Sequence, residues 1–452
     1  MKNLDRRNRL CFGLGTIGRD MFYSFEANTL LYFLSDVLSL PIWVFAAASG
    51  ILSVMRIFDA CNDPVTGLVI DNIRSPWGKF KPAILVGGIL SAIFAVLLFS
   101  GIGEGWVFIV VFGLAYLLFD ITFGINDIGY WTLQPVLSSD QKQREKIGAF
   151  ARICANIGMY IVMVAWQPVT TALGDTPTVW FWCAVVVAVI YLLGLLIPLL
   201  GLKEKRIPVD QQESTTVKQM IRALVKNDQL MWTTLSMALF MVGYCTTVNF
   251  AVYYMKYLFG DESMYVVLVA VVGVSQLGTL AVYPKVASKL NRRKLYTLGT
   301  ILVLLGYAIF FFAEFSIILI ALGAVLVFVG QAFIQTLMLM FLTDTVEYGQ
   351  WKLGKRNESI TFSIQPFINK IGGAIATGIV SLTLIISGIK LDGGTADFIG
   401  DEGKLIVKVA MFAIPLIMIV AGYIIYLKKY KISEEYYAEI LKDLEEKEKA
   451  GA

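Results

Sequence analysis

Two aspartates, Asp59 and Asp63, lie four residues apart in an apolar segment, with Asn62 between them. Residues four apart share one face of a helix, so two carboxylates and an amide oxygen would meet at one place. Oxygen ligands of this kind suit a hard cation. Two acids on one face also repel each other unless a cation or a proton lies between them, which argues against a purely structural role.

A second acidic motif, FDITFGINDIGYWTLQP, holds Asp120, Asp127 and Trp131 at positions i, i+7 and i+11. This spacing predicts a common helix face. A carboxylate accepts hydrogen bonds from two sugar hydroxyls, and an aromatic ring covers the apolar face of a pyranose. The motif therefore indicates a sugar site, with simple packing as the alternative role for Trp131.

Four cationic residues lie inside apolar segments: Arg19, Arg56, Arg152 and Lys370. An ionisable group at membrane depth normally faces a partner or a water-filled cavity. Asp20 stands beside Arg19, and we expect Arg152 and Lys370 to supply donors to the sugar site. Structural ion pairs between helices are the alternative for Arg19 and Arg56. Glu26 and Asp120 receive no partner from the sequence.

The composition places these motifs in a membrane protein. Of 452 residues, 57% are hydrophobic and 16% are charged, whereas soluble domains average about 45–50% and about 25%. The chain has no histidine, which excludes His-dependent zinc sites, Ser-His-Asp triads and histidine ligation of haem. The five cysteines form no CxxC pair, so we interpret them as packing residues.

Twelve apolar segments are each long enough to cross a bilayer, which takes about 20 residues. They lie at about 10–36, 43–70, 82–101, 105–134, 147–172, 178–201, 230–257, 264–284, 294–313, 316–343, 359–388 and 405–427. We predict an all-α polytopic protein with six-helix bundles at 1–201 and 230–427, a central loop at 202–229 and a short, solvated helical tail at 428–452.

The distribution of basic residues predicts the orientation. Lys and Arg are concentrated in the N-terminal segment, the central loop and every second connection. The opposite connections hold only four: Lys256, Lys390, Lys404 and Lys408. By the positive-inside rule, both termini and the central loop lie in the cytoplasm.

The chain resembles the glycoside-pentoside-hexuronide:cation symporters of the major facilitator superfamily, which include melibiose permease and xyloside and glucuronide transporters. The resemblance rests on segments that follow in order along nearly the whole chain: GTIGRD (15–20), MRIFDACNDPVTGLVIDNIRSPWGKFKP (55–82), NDIGYWTLQP (126–135), FAR (150–152), LTDTVEYGQWKLGKR (342–356) and SIQPFINKIGG (363–373). The combination of RxxDxxNDP and RSPWGKFKP is highly specific for this family, whereas neither motif alone would be.

This resemblance implies roles for three groups of residues. The coupling cation, Na⁺ or H⁺, would bind at Asp59, Asn62 and Asp63, with Asp59 and Asp63 as metal ligands only if the ion is Na⁺. The sugar would bind at Arg19, Asp20, Asp127, Trp131, Arg152, Gln365 and Lys370, with Lys370 between the two sites. The cytoplasmic gates would hold Arg74, Lys79, Lys81, Asp344, Glu347 and Tyr348.

Two positions depart from the family pattern. Gly124 stands where sodium-using members carry a hydroxyl ligand, and Gln335 lies near a position that is aromatic in some members. We predict cation-coupled uptake of a pentoside, galactoside or glucuronide across a bacterial inner membrane, by a monomer that needs no cofactor and binds no nucleic acid. The alternatives are a carrier of a non-sugar solute and a transporter-like sensor. An embedded enzyme is disfavoured because the chain has neither histidine nor sizeable outer loops.

Overall fold

The computed structural model is almost entirely helical, as the apolar segments predict. It describes residues 2–71, 75, 77, 80–133, 137, 141–202, 222, 225–287, 289–313, 315–354 and 358–451. The predicted gate residues Arg74 and Lys79, and the side chain of Asp63, lie outside this description.

The first half of the chain forms six long helices. They are α1 (Lys2–Tyr32), α2 (Ile42–Asp71), α3 (Phe80–Leu98), α4 (Gly105–Leu133), α5 (Gln141–Ala172) and α6 (Pro177–Gly201). Helix α1 continues as a π-helical turn, Phe33–Val37. The start of α6 shows how local sequence sets a boundary: the Thr176 hydroxyl accepts a hydrogen bond from the Val179 amide, and Pro177 occupies the first helical turn, where a missing N–H costs nothing.

The second half forms a corresponding set of helices. They are α7 (Asp228–Tyr253), α8 (Met264–Ala287), α9 (Arg292–Phe312), α10 (Ile317–Leu353), α11 (Glu358–Ile386), α12 (Asp401–Lys429) and α13 (Glu434–Gly451). Helix α7 ends in a π-helical segment, Tyr254–Phe259, and α12 runs through one at Val409–Ala413.

Eleven helices in the described part of the chain are long and apolar enough to cross a membrane. Helix α1 is as long as these but carries Arg19, Asp20 and Glu26 in its apolar part. With α1 as the further span, the arrangement is the twelve-helix major facilitator fold that the sequence predicts.

The helices divide into two compact units. The first comprises Met1–Ser214 with Gly388–Asp397, and the second comprises Thr215–Ser387 with Phe398–Ala452. In the first unit, α1 packs on α5 and α6, and α4 packs on α2 and α3. A Cβ atom at Gly158 of α5 would overlap the Ile17 carbonyl oxygen of α1, so glycine permits this close approach. In the second unit, α10 packs on α9, and α7 packs on α11 and α12.

A short hairpin between α11 and α12 belongs to the first unit, although the chain on both sides of it belongs to the second. Its strands are β1 (Lys390–Leu391) and β2 (Gly394–Thr395), and the turn between them places Gly393 at a φ of 80°. The buried Lys390 ammonium donates to the carbonyl oxygens of Ser35, at 3.1 Å, and Leu38, at 3.4 Å. The hairpin is thus fixed to the end of α1.

The C-terminal tail is helical, as predicted, but it is not fully solvated. Ile440 of α13 is 1% exposed and packs with Ile432 and Tyr348. The Trp351 indole N–H donates to Asp443 at 3.0 Å. One face of the tail therefore packs against the end of α10, because its sparse apolar residues find partners there.

Candidate substrate and cation sites

The best-defined cluster of predicted site residues lies where α1 meets α4. The guanidinium of Arg19 forms an ion pair with Asp127 and a second one with Asp20, at 3.3 Å from Nη1 to Oδ2. The same guanidinium carbon lies 5.2 Å from the centre of the Trp131 ring, within the range of a cation–π interaction. Four of the seven predicted sugar-site residues are thereby brought together.

Tyr130 organises this cluster, although it is not among the predicted site residues. Its hydroxyl donates to the Phe12 carbonyl oxygen at 2.5 Å, and its ring stacks on the Phe12 ring with centroids 4.7 Å apart. The Arg19 guanidinium also lies 5.3 Å from the Tyr130 ring. Tyr130 therefore fixes α4 to α1 beside the ion pair; its position three residues after Asp127 was the available signal.

The members of the ion pair differ in exposure. The Arg19 side chain is 5% exposed, whereas that of Asp127 is 37% exposed. A ligand can therefore reach the carboxylate while the buried arginine holds it in place. An accessible carboxylate, a guanidinium donor and a partly exposed indole ring are the groups that recognise a sugar by its hydroxyls and its apolar face.

The other three predicted sugar-site residues lie on other elements. Arg152 is exposed on α5 of the first unit, while Gln365 and Lys370 are partly exposed on α11 of the second. Gln335 is also partly exposed. Its amide nitrogen lies 4.0 Å from the Met241 sulfur.

The predicted cation motif lies on α2. Asp59 and Asn62 are partly exposed there, and Arg56, one turn before, donates to the Ala27 carbonyl oxygen at 2.9 Å. Across from α2, a Cβ atom at Gly124 would meet only the Thr66 hydroxyl oxygen within 4 Å, at 3.9 Å. Within the described side chains, no three His, Cys, Asp or Glu residues converge to hold a metal ion; the Asp63 carboxylate lies outside this set.

The predicted gate residues fall into two places. In the first unit, the Lys81 ammonium donates to the Leu202 carbonyl oxygen at 2.9 Å, joining the start of α3 to the end of α6. In the second unit, Asp344 forms an ion pair with Arg292 and accepts a hydrogen bond from the Tyr430 hydroxyl at 3.0 Å.

The remaining gate residues follow Asp344 on α10. The Tyr348 hydroxyl donates to Asp228 at 3.0 Å, and Lys352 forms an ion pair with the same carboxylate. Glu347, the residue before Tyr348, is buried. The sequence did not identify Asp228 as a partner, although its place at the start of α7 puts an acid beside a helix N-terminus, where negative charge is favoured.

Comparison with known proteins identifies the family. Residues 11–434 match the family model described as MFS/sugar transport protein. The chain is 33% identical to the lactose permease of Lactobacillus delbrueckii subsp. bulgaricus, over 97% of this chain and 72% of that protein. It is also 33% identical to the raffinose carrier protein of Pediococcus pentosaceus, over 97% of this chain and 71% of that protein.

A solved structure supports the fold. The crystal structure of a bacterial homologue of the human lysosomal transporter Spinster aligns with a TM-score of 0.65 at 11% identity, covering 97% of this chain and 98% of the other. At this identity the likeness concerns the fold alone. The resemblance noted in the sequence is confirmed: the chain belongs to the MFS/sugar transport protein family and is a multi-pass membrane transporter, not an enzyme.

Proposed function

We propose that this protein is a cation-coupled symporter that carries a galactoside into a bacterial cell across the inner membrane. The observation that supports this most directly is the Arg19–Asp127 pair beside Trp131, in which the carboxylate is accessible and the arginine is buried. Carboxylates bind pairs of sugar hydroxyls, and the indole covers the apolar face of the ring. The relatives favour the substrate class, because lactose and raffinose each carry a terminal galactosyl unit.

Coupling follows from charge balance. In the empty protein, Arg19 compensates Asp20 and Asp127. A cation bound at Asp59, Asn62 and Asp63 frees donors and acceptors for the sugar, so each ligand lowers the free-energy cost of binding the other. Such coupling is reciprocal.

Transport would proceed by alternating access, in which the sugar site is exposed to each side of the membrane in turn. The energy comes from the ion gradient, so a monomer needs no other cofactor. Gly124 offers no hydroxyl ligand to a sodium ion, which favours H⁺ over Na⁺ as the coupling ion.

The test is uptake by proteoliposomes containing the purified protein. Galactosides, xylosides and glucuronides are compared under an imposed pH gradient, an imposed Na⁺ gradient and no gradient. We expect galactosides to accumulate against their own gradient when a proton gradient is imposed. Accumulation that neither gradient affects would overturn symport, and accumulation of xylosides or glucuronides alone would overturn the substrate class.

The cation motif is tested with Asp59→Cys, which should retain galactoside binding but lose stimulation by the gradient. Asp397→Cys is the matched control, because Asp397 is an exposed residue outside both sites. If Asp59→Cys accumulates galactoside as well as this control does, the assignment of the coupling site is wrong.

A further inference from the structure

A second group of ionisable side chains lies in the first unit, away from the Arg19–Asp127 pair. Glu26 follows Arg19 by seven residues on α1, and Asp120 precedes Asp127 by seven on α4. Seven residues make about two helical turns, or about 10 Å along the axis. Both acids should therefore lie at a similar distance from the ion pair, provided that the two helices run antiparallel.

Contacts along the interface establish this register. As the residue number rises on α1, the number of its partner on α4 falls: Phe12 contacts Tyr130, Arg19 pairs with Asp127, and Phe22 lies 5.9 Å from Phe119 between ring centroids. The rings of Phe22 and its neighbours thus separate the ion pair from the second group.

Glu26 is the most enclosed acid of this group. It is 4% exposed, and its carboxylate accepts a hydrogen bond from the Tyr116 hydroxyl of α4. Among the described residues, its Oε1 atom has no hydrogen-bond partner. An ionised carboxylate buried with one oxygen unsatisfied is costly, whereas a protonated one needs fewer partners.

The charges around Glu26 come from two helices. Arg56 and Asp59 act on it from α2, while Tyr116 and Asp120 belong to α4. Arg56 is thus a cation that acts on Glu26, and its Nη2 atom also donates to the Ala27 carbonyl oxygen.

The other helices packed in this unit carry few charged residues. Helix α6 and the part of α5 after Arg152 contain no charged residue; their titratable side chains are Cys154, Tyr160, Cys183 and Tyr191. The charge on α3 is Lys81, which donates to the Leu202 carbonyl oxygen.

We propose that Glu26 is a second proton-binding site, distinct from the Asp59–Asn62–Asp63 motif, and that coupling of the sugar to the gradient requires Glu26 to take up and release its proton as well as cation binding at that motif. This proposal rests on the proposed symport for its second half only. A proton satisfies the group better than a metal ion, because a metal needs several converging oxygen ligands, and the described acids do not form such a set. The nearby Tyr116 hydroxyl can stabilise the carboxylate when the proton leaves.

The first half is tested without transport. Infrared difference spectra of the purified protein in lipid, recorded over a pH titration, detect a protonated carboxyl by its C=O stretching band. We expect this band in the wild type at neutral pH, its loss in Glu26→Gln, and a shift in its frequency in Tyr116→Phe. Glu104→Gln, in an exposed loop, is the matched control. A band unchanged in Glu26→Gln would overturn the proposal.

The second half is tested in proteoliposomes. Glu26→Gln mimics the protonated state, so it should exchange galactoside at equilibrium but show an accumulation ratio of about one under a pH gradient, with no proton uptake. Glu26→Asp, which keeps a titratable group, should recover accumulation at least in part. Gradient-driven accumulation by Glu26→Gln equal to that of Glu104→Gln would overturn the role in coupling. If Glu26→Gln does not even exchange galactoside, Glu26→Asp decides the question, and a lack of accumulation by Glu26→Asp would then overturn the role as well. If the wild type itself does not accumulate galactoside while the infrared result holds, the proposed function fails and the proton site stands.

Discussion

Replacing Asp127 with asparagine tests whether its exposed carboxylate binds the sugar. The amide keeps the shape of the side chain but removes the negative charge that faces Arg19. A hydrogen bond to a charged group contributes about 1.5–3 kcal/mol, and about 1.4 kcal/mol corresponds to a tenfold change in affinity. We therefore expect Asp127→Asn to bind a fluorescent galactoside about 10 to 150 times more weakly than the wild type.

The same substitution also leaves Arg19 with one anionic partner fewer. Breaking a buried ion pair costs about 3–5 kcal/mol. Here Asp20 remains 3.3 Å from the guanidinium and the Asp127 side chain is 37% exposed, so we expect a loss of stability of at most about 3 kcal/mol. Thermal unfolding of the same samples in lipid nanodiscs measures this loss separately from binding.

The double variant Arg19→Gln/Asp127→Asn shows whether weak binding follows from the changed Arg19 or from the lost carboxylate. It leaves Asp20 without its guanidinium partner, so it should be no more stable than Asp127→Asn, and binding should stay weak. The control is Asp397→Asn, which makes the same change at an exposed position. Affinity within twofold of the wild type in Asp127→Asn, or affinity restored to wild type in the double variant, would refute the assignment of Asp127 to the sugar site.

Two further predictions concern an open space in α4 and the buried lysine of the hairpin. Gly124→Ser should fold normally, since a Cβ there has room, and uptake should gain a dependence on Na⁺; uptake that stays indifferent to Na⁺ would show that position 124 does not face the cation. Burial lowers the pKa of Lys390 to about 8, whereas the ordinary value for lysine is about 10.4. The docked hairpin therefore holds this proton less tightly than the exposed chain does. Docking should strengthen as the pH rises from about 8 to about 10.4. Hydrogen-exchange protection of residues 388–397, corrected for intrinsic rates, should therefore rise over that interval in the wild type and not in Lys390→Met; protection that falls would contradict the prediction.

The sequence was sufficient to predict the helices and much of the candidate sugar site. Helical periodicity assigns residues to faces, and the cost of burying a charge requires a partner, which together indicated Arg19, Asp20 and Asp127. Neither argument specifies which helices touch or in what register. The sequence therefore could not assign the Tyr130 hydroxyl to a carbonyl 118 residues away.

The C-terminal region shows the same limit. A tail rich in Lys and Glu predicts a solvated helix, and α13 is largely that. Burial of Ile440 against Tyr348 depends on where the end of α10 projects, which no local pattern reveals. The Arg292–Asp344 pair joins residues 52 positions apart. It was not predicted because the positive-inside rule already accounts for a basic residue near the end of a helix, so Arg292 did not call for an acidic partner.

The hairpin at Lys390 has a consequence for biosynthesis. The carbonyl oxygens of Ser35 and Leu38 receive their lysine donor from a residue more than 350 positions later, and the Ile42 amide receives its acceptor from Asp392. At about 5–20 residues per second, the ribosome needs about 20 to 70 seconds to supply that segment. The first bundle is therefore inserted with one end still unfinished, and a fragment ending at residue 201 would lack the strands that complete it.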